Sequence, residues 1–137
     1  MIGYTTDSRR RVVFVRAWGT VTERQMIELA RALERDATIN PDWSCLIDAR
    51  DAGEISVGGS FLRGYRSAFS RTSLRAVLAS RPVVVGLSRM YALSQGLDDT
   101  FLVCHELPEA LAWLGLPQST RLPDHVDDLN GGEAATG

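Results

Sequence analysis

Cys104 and His105 are adjacent, Asp48 closes the apolar segment LIDAR, and six arginines between residues 55 and 97 meet no acid. Each invites a chemistry. A cysteine beside a histidine suggests a thiolate nucleophile and its base, which must lie within about 3 Å of each other. Both fall in the run FLVCH, where consecutive strand residues point to opposite faces, so the dyad does not assemble unless the strand has already ended. A carboxylate at a strand end, such as Asp48, stands where open α/β sheets place functional groups. As a phosphoryl acceptor it would need further acids for a metal and a lysine to sense the phosphate, yet all 15 basic residues are arginine. The missing lysine also closes Schiff-base chemistry and the phosphate loop that ends in Gly-Lys. Asp48 is expected instead to pair with Arg50 or Arg16.

Other constellations are thinner. Cys45 and Cys104 sit in apolar runs and are too few for a disulfide scaffold or a cysteine metal cluster. His125 lies among aspartates near the C-terminus, and neither histidine has the spacing of a metal site. Gly58 and Gly59 follow an irregular stretch rather than a strand, which does not match a dinucleotide fingerprint. We therefore expect no catalytic residues, no metal, no cofactor and no enzyme.

The arginines are the stronger signal. Residues 1–54 hold 8 arginines against 9 acids, residues 55–97 hold 6 against none, and residues 98–137 hold 1 against 8. Arg63, Arg66, Arg71, Arg75, Arg81 and Arg89 make up the acid-free middle. Guanidinium forks recognise phosphate and carboxylate, so an anionic ligand or an acidic protein surface would suit them; the acidic end of the same chain is the competing partner. Nucleic acid is not expected, because the net charge is −2 and no aromatic-basic interleaving appears.

The elements that must position these residues follow from periodicity. With 137 residues, 45% hydrophobic and 23% charged, the chain suits one folded domain. No apolar run approaches the roughly 20 residues of a membrane helix and no signal stretch opens it, so a cytoplasmic protein that is not integral to a membrane is expected. Gly3 to Thr6 and Val12 to Trp18 read as a hairpin, with Gly19 ending its second strand. Thr22-Glu23-Arg24-Gln25 is a capping box that opens a helix with Met26, Leu29, Ala30, Leu33 and Ala37 on its apolar stripe. Trp43 to Asp48 is a third strand, Ala49 to Ile55 a loop, and Phe61 to Phe69 a second helix weakened by glycine. Leu74 to Ala79, a helix from Pro82 to Gly96, Thr100 to Cys104, and a helix from Pro108 to Leu114 complete the order ββαβαβαβα. Residues 1–117 form the domain, and residues 118–137 are read as an acidic, mobile tail.

That order, with GTVT at 19–22, LIDAR at 46–50, GLSRMY at 86–91 and EALAWLG at 109–115, resembles the STAS or SpoIIAA-like family, and more narrowly the small bacterial STAS/SEC14 domain-containing proteins, most of them uncharacterised. The resemblance implies an α/β fold, a single SpoIIAA-like domain with a mixed five-stranded sheet and helices mainly on one face. It also implies a non-enzymatic regulatory or protein-interaction domain, with a carrier or sensor of a small apolar or lipid-like anion as the SEC14-like alternative. Family members of the switch type carry a phosphorylatable Asp-Ser-Ser/Thr-Gly; here the stretch is Glu54-Ile55-Ser56-Val57-Gly58-Gly59-Ser60, so the switch is not inherited. Ser56 and Ser60 stay candidates as serines near a helix start. Arg89 in GLSRMY is a candidate for the anion or partner site, together with Arg63 and Arg66.

Alternation sorts the strand residues. Val13, Val15, Cys45, Ile47, Ala76, Leu78, Phe101 and Val103 form a uniformly apolar set for the helix-covered face. The opposite set, Phe14, Arg16, Trp18, Ser44, Leu46, Asp48, Arg75, Val77, Thr100 and Leu102, mixes large apolar groups with charge. Left uncovered, such a face would support a homodimer.

Overall fold

A computed structural model describes residues 1–124, 126 and 129. The chain begins with a hairpin of β1 (Ile2–Asp7) and β2 (Val12–Thr22), whose turn is held by the Asp7 carboxylate accepting from the Arg10 amide at 3.1 Å. At the end of β2 the capping box closes as its residues require: the Gln25 amide donates to Thr22 Oγ1 at 3.2 Å and the Thr22 amide donates to Gln25 Oε1 at 2.9 Å. Helix α1 (Glu23–Arg35) follows and buries Leu29, Ala30 and Leu33. Beyond lie β3 (Ser44–Ser56), α2 (Gly59–Gly64), β4 (Arg75–Leu78), α3 (Pro82–Gln95), β5 (Phe101–Cys104) and α4 (Leu107–Leu114). Gly96 and Gly115, at φ +66° and +69°, end α3 and α4 in the left-handed conformation that glycine adopts without a Cβ clash.

The five strands lie in sequence order, β1 antiparallel to β2 and the remaining pairs parallel. Three elements depart most from their expected bounds. β2 runs past Gly19 and β3 runs through the stretch Ala49 to Ile55 that reads as a loop, because the two pair as far as Thr22 and Ser56. Register shifts after Arg16 and after Gly19 break the alternation that would have revealed the extension. α2, conversely, is only six residues long: Tyr65 leaves the helix in an extended conformation, and Ala68 and Phe69 pack against the core as irregular chain.

The pairing also fixes the faces. Cys45 stands beside Arg75 and Arg75 beside Phe101, while Leu46 stands beside Ala76 and Ala76 beside Leu102. β4 is therefore one residue out of phase with the alternation expected for it: Arg75 and Val77 face α1 and α3, and Ala76 and Leu78 face away. That opposite face is not left bare. α4 lies on it, packing Ala110, Leu111 and Leu114 onto Val12, Phe14, Leu46, Ala76 and Leu78. The face that would support a homodimer if bare is thus covered by α4 over Phe14, Leu46 and Leu102. α1 and α3 pack on the other face and α2 packs on α3, so helices lie mainly on one face of a mixed sheet.

Past α4, Thr120 and Val126 are buried, Leu122 packs on the α4 face and Leu129 packs against the other core. The expected mobile end falls largely outside the described residues, as do His125, Asp127, Asp128, Gly131 and Gly132. Among the described residues no helix is long and apolar enough to cross a membrane.

Candidate functional site

The sheet and α1 to α3 do not close completely on each other. Between them lies a partly open cavity of about 180 Å³, walled by Val15, Leu29, Ile47, Ala52, Leu62, Val77, Val84 and their neighbours. It exceeds the roughly 150 Å³ of an apolar cavity that holds a benzene ring. A row of aromatic rings forms one wall: Tyr65 and Tyr91 have centroids 6.1 Å apart, and Tyr91 and Phe101 are 5.7 Å apart. At the end of that row the Arg75 guanidinium sits 5.5 Å from the Phe101 ring centre.

Arg75 is the one charged residue among the described lining of the cavity, and it is only 3% exposed. Its backbone is pinned from both sides. Its amide donates to the Thr100 carbonyl at 2.9 Å, and its carbonyl accepts from Trp113 Nε1 of α4 at 3.1 Å. Its side chain has no such anchor: among the described residues it forms no ion pair, and its buried Nε has no hydrogen-bond partner. An unpaired buried charge costs several kcal/mol as an order of magnitude.

No other residue of the described lining carries a countercharge. Burial pushes the Cys45 thiol up to about 12, outweighing the pull of Arg75 toward the thiolate. Burial raises Tyr65 further still, and its hydroxyl is occupied in donating to the Met26 carbonyl at 2.9 Å. Both groups stay neutral at physiological pH. The Ser67 hydroxyl accepts from the Phe69 amide at 3.2 Å.

The arginines and serines singled out in the sequence lie elsewhere. Arg63 on α2 is exposed, donates to Ser60 Oγ at 3.3 Å, and accepts at its carbonyl from Gln95 Nε2 at 3.1 Å. Arg66, just past α2, and Arg89 on α3 are exposed and have no acidic partner among the described residues. Ser60 is exposed near the start of α2, and Ser56 is exposed at the last position of β3. The structure thus joins Arg63 to Ser60 but puts none of the five in the cavity lining. Arg71 and Arg81 bond to the Gly96 and Gly53 carbonyls, so none of the six middle arginines is paired with an acid among the described residues.

Asp48 accepts from Arg50 Nε and Nη2, both at 2.9 Å, while Arg16 turns to Asp51 at 3.2 Å. His105 Nδ1 lies 2.7 Å from the Ala79 carbonyl and the Cys104 thiol faces the Glu106 carbonyl at 3.8 Å, so the two are engaged separately. Among the described residues no three His, Cys, Asp or Glu side chains group as metal ligands would.

Arg75 is the residue that sequence reasoning passed over. It was counted in the basic middle but assigned to the wrong face. The available signal was an arginine heading the strand RAVL, whose other members are all apolar.

No protein-family model matches the chain, and no curated protein sequence does. A solved structure that it resembles is that of an uncharacterised protein from the DUF3478 family with a SpoIIAA-like fold, from Shewanella loihica PV-4. The two are 17% identical, the match covers 83% of this chain and 92% of that one, and the TM-score is 0.53. At that identity the likeness concerns the fold: the chain has a SpoIIAA-like fold, the architecture its motifs imply.

Proposed function

We propose that this chain is a non-enzymatic STAS-like domain that acts as a carrier or sensor of a small apolar or lipid-like anion. The cavity between the sheet and α1 to α3 carries this reading. Protein interiors pack as densely as organic crystals, so a gap of this size lined by aliphatic and aromatic groups forfeits contact energy unless something fills it. A protein-interaction role rests on a different observation: Arg63, Arg66 and Arg89 are exposed without acidic partners among the described residues and could meet an acidic surface. The two roles are compatible in a regulatory domain whose surface reports on an occupied cavity.

Native mass spectrometry of the chain purified from its own host, followed by thermal melting of the extracted protein with octanol, tests the ligand reading. A mass addition removed by organic extraction, and a melting temperature that rises with octanol, are the expected results. A ligand-free spectrum together with a melting temperature indifferent to octanol and to octanoate would overturn it.

A further inference from the structure

We propose that the ligand of the cavity is an apolar monocarboxylic acid whose carboxylate is held by the guanidinium of Arg75. The inference rests on the binding reading above and adds the chemical class. Its starting point is an imbalance of charge: Arg75 is 3% exposed, lines an apolar cavity, and has neither a carboxylate partner nor a bond at Nε among the described residues. Buried cations in folded proteins are paired, because the desolvation they suffer is otherwise uncompensated. With Cys45 and Tyr65 both neutral, no described lining residue supplies the missing countercharge, and a bound anion can.

The shape and charge of the site narrow the class. A guanidinium offers two parallel N–H groups that match the two oxygens of a planar carboxylate. One monoanion neutralises the single cation lining the cavity. A phosphate monoester, carrying about −1.5 to −2 charges at neutral pH, would leave excess negative charge among aliphatic side chains. Tyr91 lines the same cavity, and its hydroxyl makes no hydrogen bond among the described residues, which leaves it able to donate to the bound acid. Phe101 covers the guanidinium and helps exclude water, while Ile47, Leu62 and Val77 receive the apolar body. Arg63, Arg66 and Arg89 cannot serve as this anchor, because they are exposed and outside the cavity lining.

The test compares octanoate with octanol by calorimetric titration of the wild type, Arg75→Met and Arg75→Lys. The wild type should bind octanoate at least about tenfold more tightly than octanol, the margin expected of a charge-assisted hydrogen-bonded pair. Arg75→Met should retain octanol binding and bind both compounds alike, and without ligand it should melt no lower than the wild type, because its side chain carries no charge to desolvate. Arg75→Lys should keep part of the preference. Equal wild-type affinities, a preference that survives in Arg75→Met, or tighter binding of octyl phosphate than of octanoate would each overturn the carboxylate assignment while leaving the cavity reading intact. If neither octanol nor octanoate binds, the cavity reading itself falls. Should Arg75→Met not fold, the wild-type ratio decides alone.

Discussion

Under α4, the side chains of Val12, Leu46, Ala76, Leu78 and Leu111 are sealed to 1% exposure or less, and the charge set into the same face, Asp48, meets its counter-ion Arg50 at 2.9 Å. Under α1 to α3, the same strands present an equally apolar surface, yet there a cavity remains and the charge set into it, Arg75, has no acidic partner among the described residues. The helices account for the difference in packing. α4 is short but lies squarely on β3, β4 and β5, with Ala110, Leu111 and Leu114 aligned on its buried side. On the other face α1 serves the β1 and β2 side, α3 serves β3 and β5, and the six-residue α2 leans on α3 rather than on the sheet. One face is thereby built for stability, and the other keeps room and an unmet charge. Sites of that kind are commonly held at a cost in stability.

Truncation should separate the faces most strongly. Leu111→Ala removes a side chain that is 1% exposed from a closed core, and should cost about 2–5 kcal/mol. Leu62→Ala removes a cavity-lining side chain that already lacks part of its contacts, so its cost should fall at or below the lower end of that ~2–5 kcal/mol range. Chemical denaturation of the two variants checks this. Equal losses would mean that the cavity face is packed as tightly as the other.

Enlargement reverses the contrast at a smaller scale. Ala110 is wholly buried on the sheet-facing side of α4, and Ala110→Leu should lose about 1–3 kcal/mol through overpacking. Ala68 lines the cavity, and Ala68→Leu should leave unliganded stability unchanged or raise it while weakening octanol binding. Melting curves with and without octanol read both effects. A destabilised Ala68→Leu would break the comparison.

What was legible in the sequence tracks how local its cause is. The capping box at Thr22 and Gln25, proline at the start of α3 and glycine after α3 and α4 act within a few residues, and each stands where its spacing implies. The far half of β3 was hidden, because its partner is the end of β2 and two register shifts disguise the period. The phase of β4 was hidden for a related reason. Four residues are too few to set alternation from within, and the pairing with Cys45 and Phe101 decides it from a distance. Arg75 was hidden twice over, by that phase and by the general preference of arginine for the surface. The exposed arginines were visible because they obey that preference. A buried charge that violates it surfaces only when the pairing is known.

The smallest expected effect concerns the charge that does have its partner. Burial alone would raise the Asp48 carboxyl, but the hydrogen bonds and charge of Arg50, with a contribution from Arg16, outweigh it and hold the group below its ordinary 3.8. A carboxyl depressed in the folded state stabilises fully above its unfolded value, and that contribution is lost as pH falls through the folded value. Arg50 is part-exposed at 38%, so solvent screens the pair and Asp48→Asn should cost only ~1 kcal/mol at pH 7. The gap between wild type and variant should be constant from pH 7 to about 5 and should close below about pH 4, where the unfolded carboxyl protonates. Arg75, by contrast, has no carboxylate partner among the described residues, so the stability difference between wild type and Arg75→Met should be flat across the same range. Parallel denaturation curves for the two variants from pH 3 to 7 make the measurement. A gap for Arg75→Met that closed in acid would reveal a carboxylate beside Arg75 and erase the contrast between the two faces.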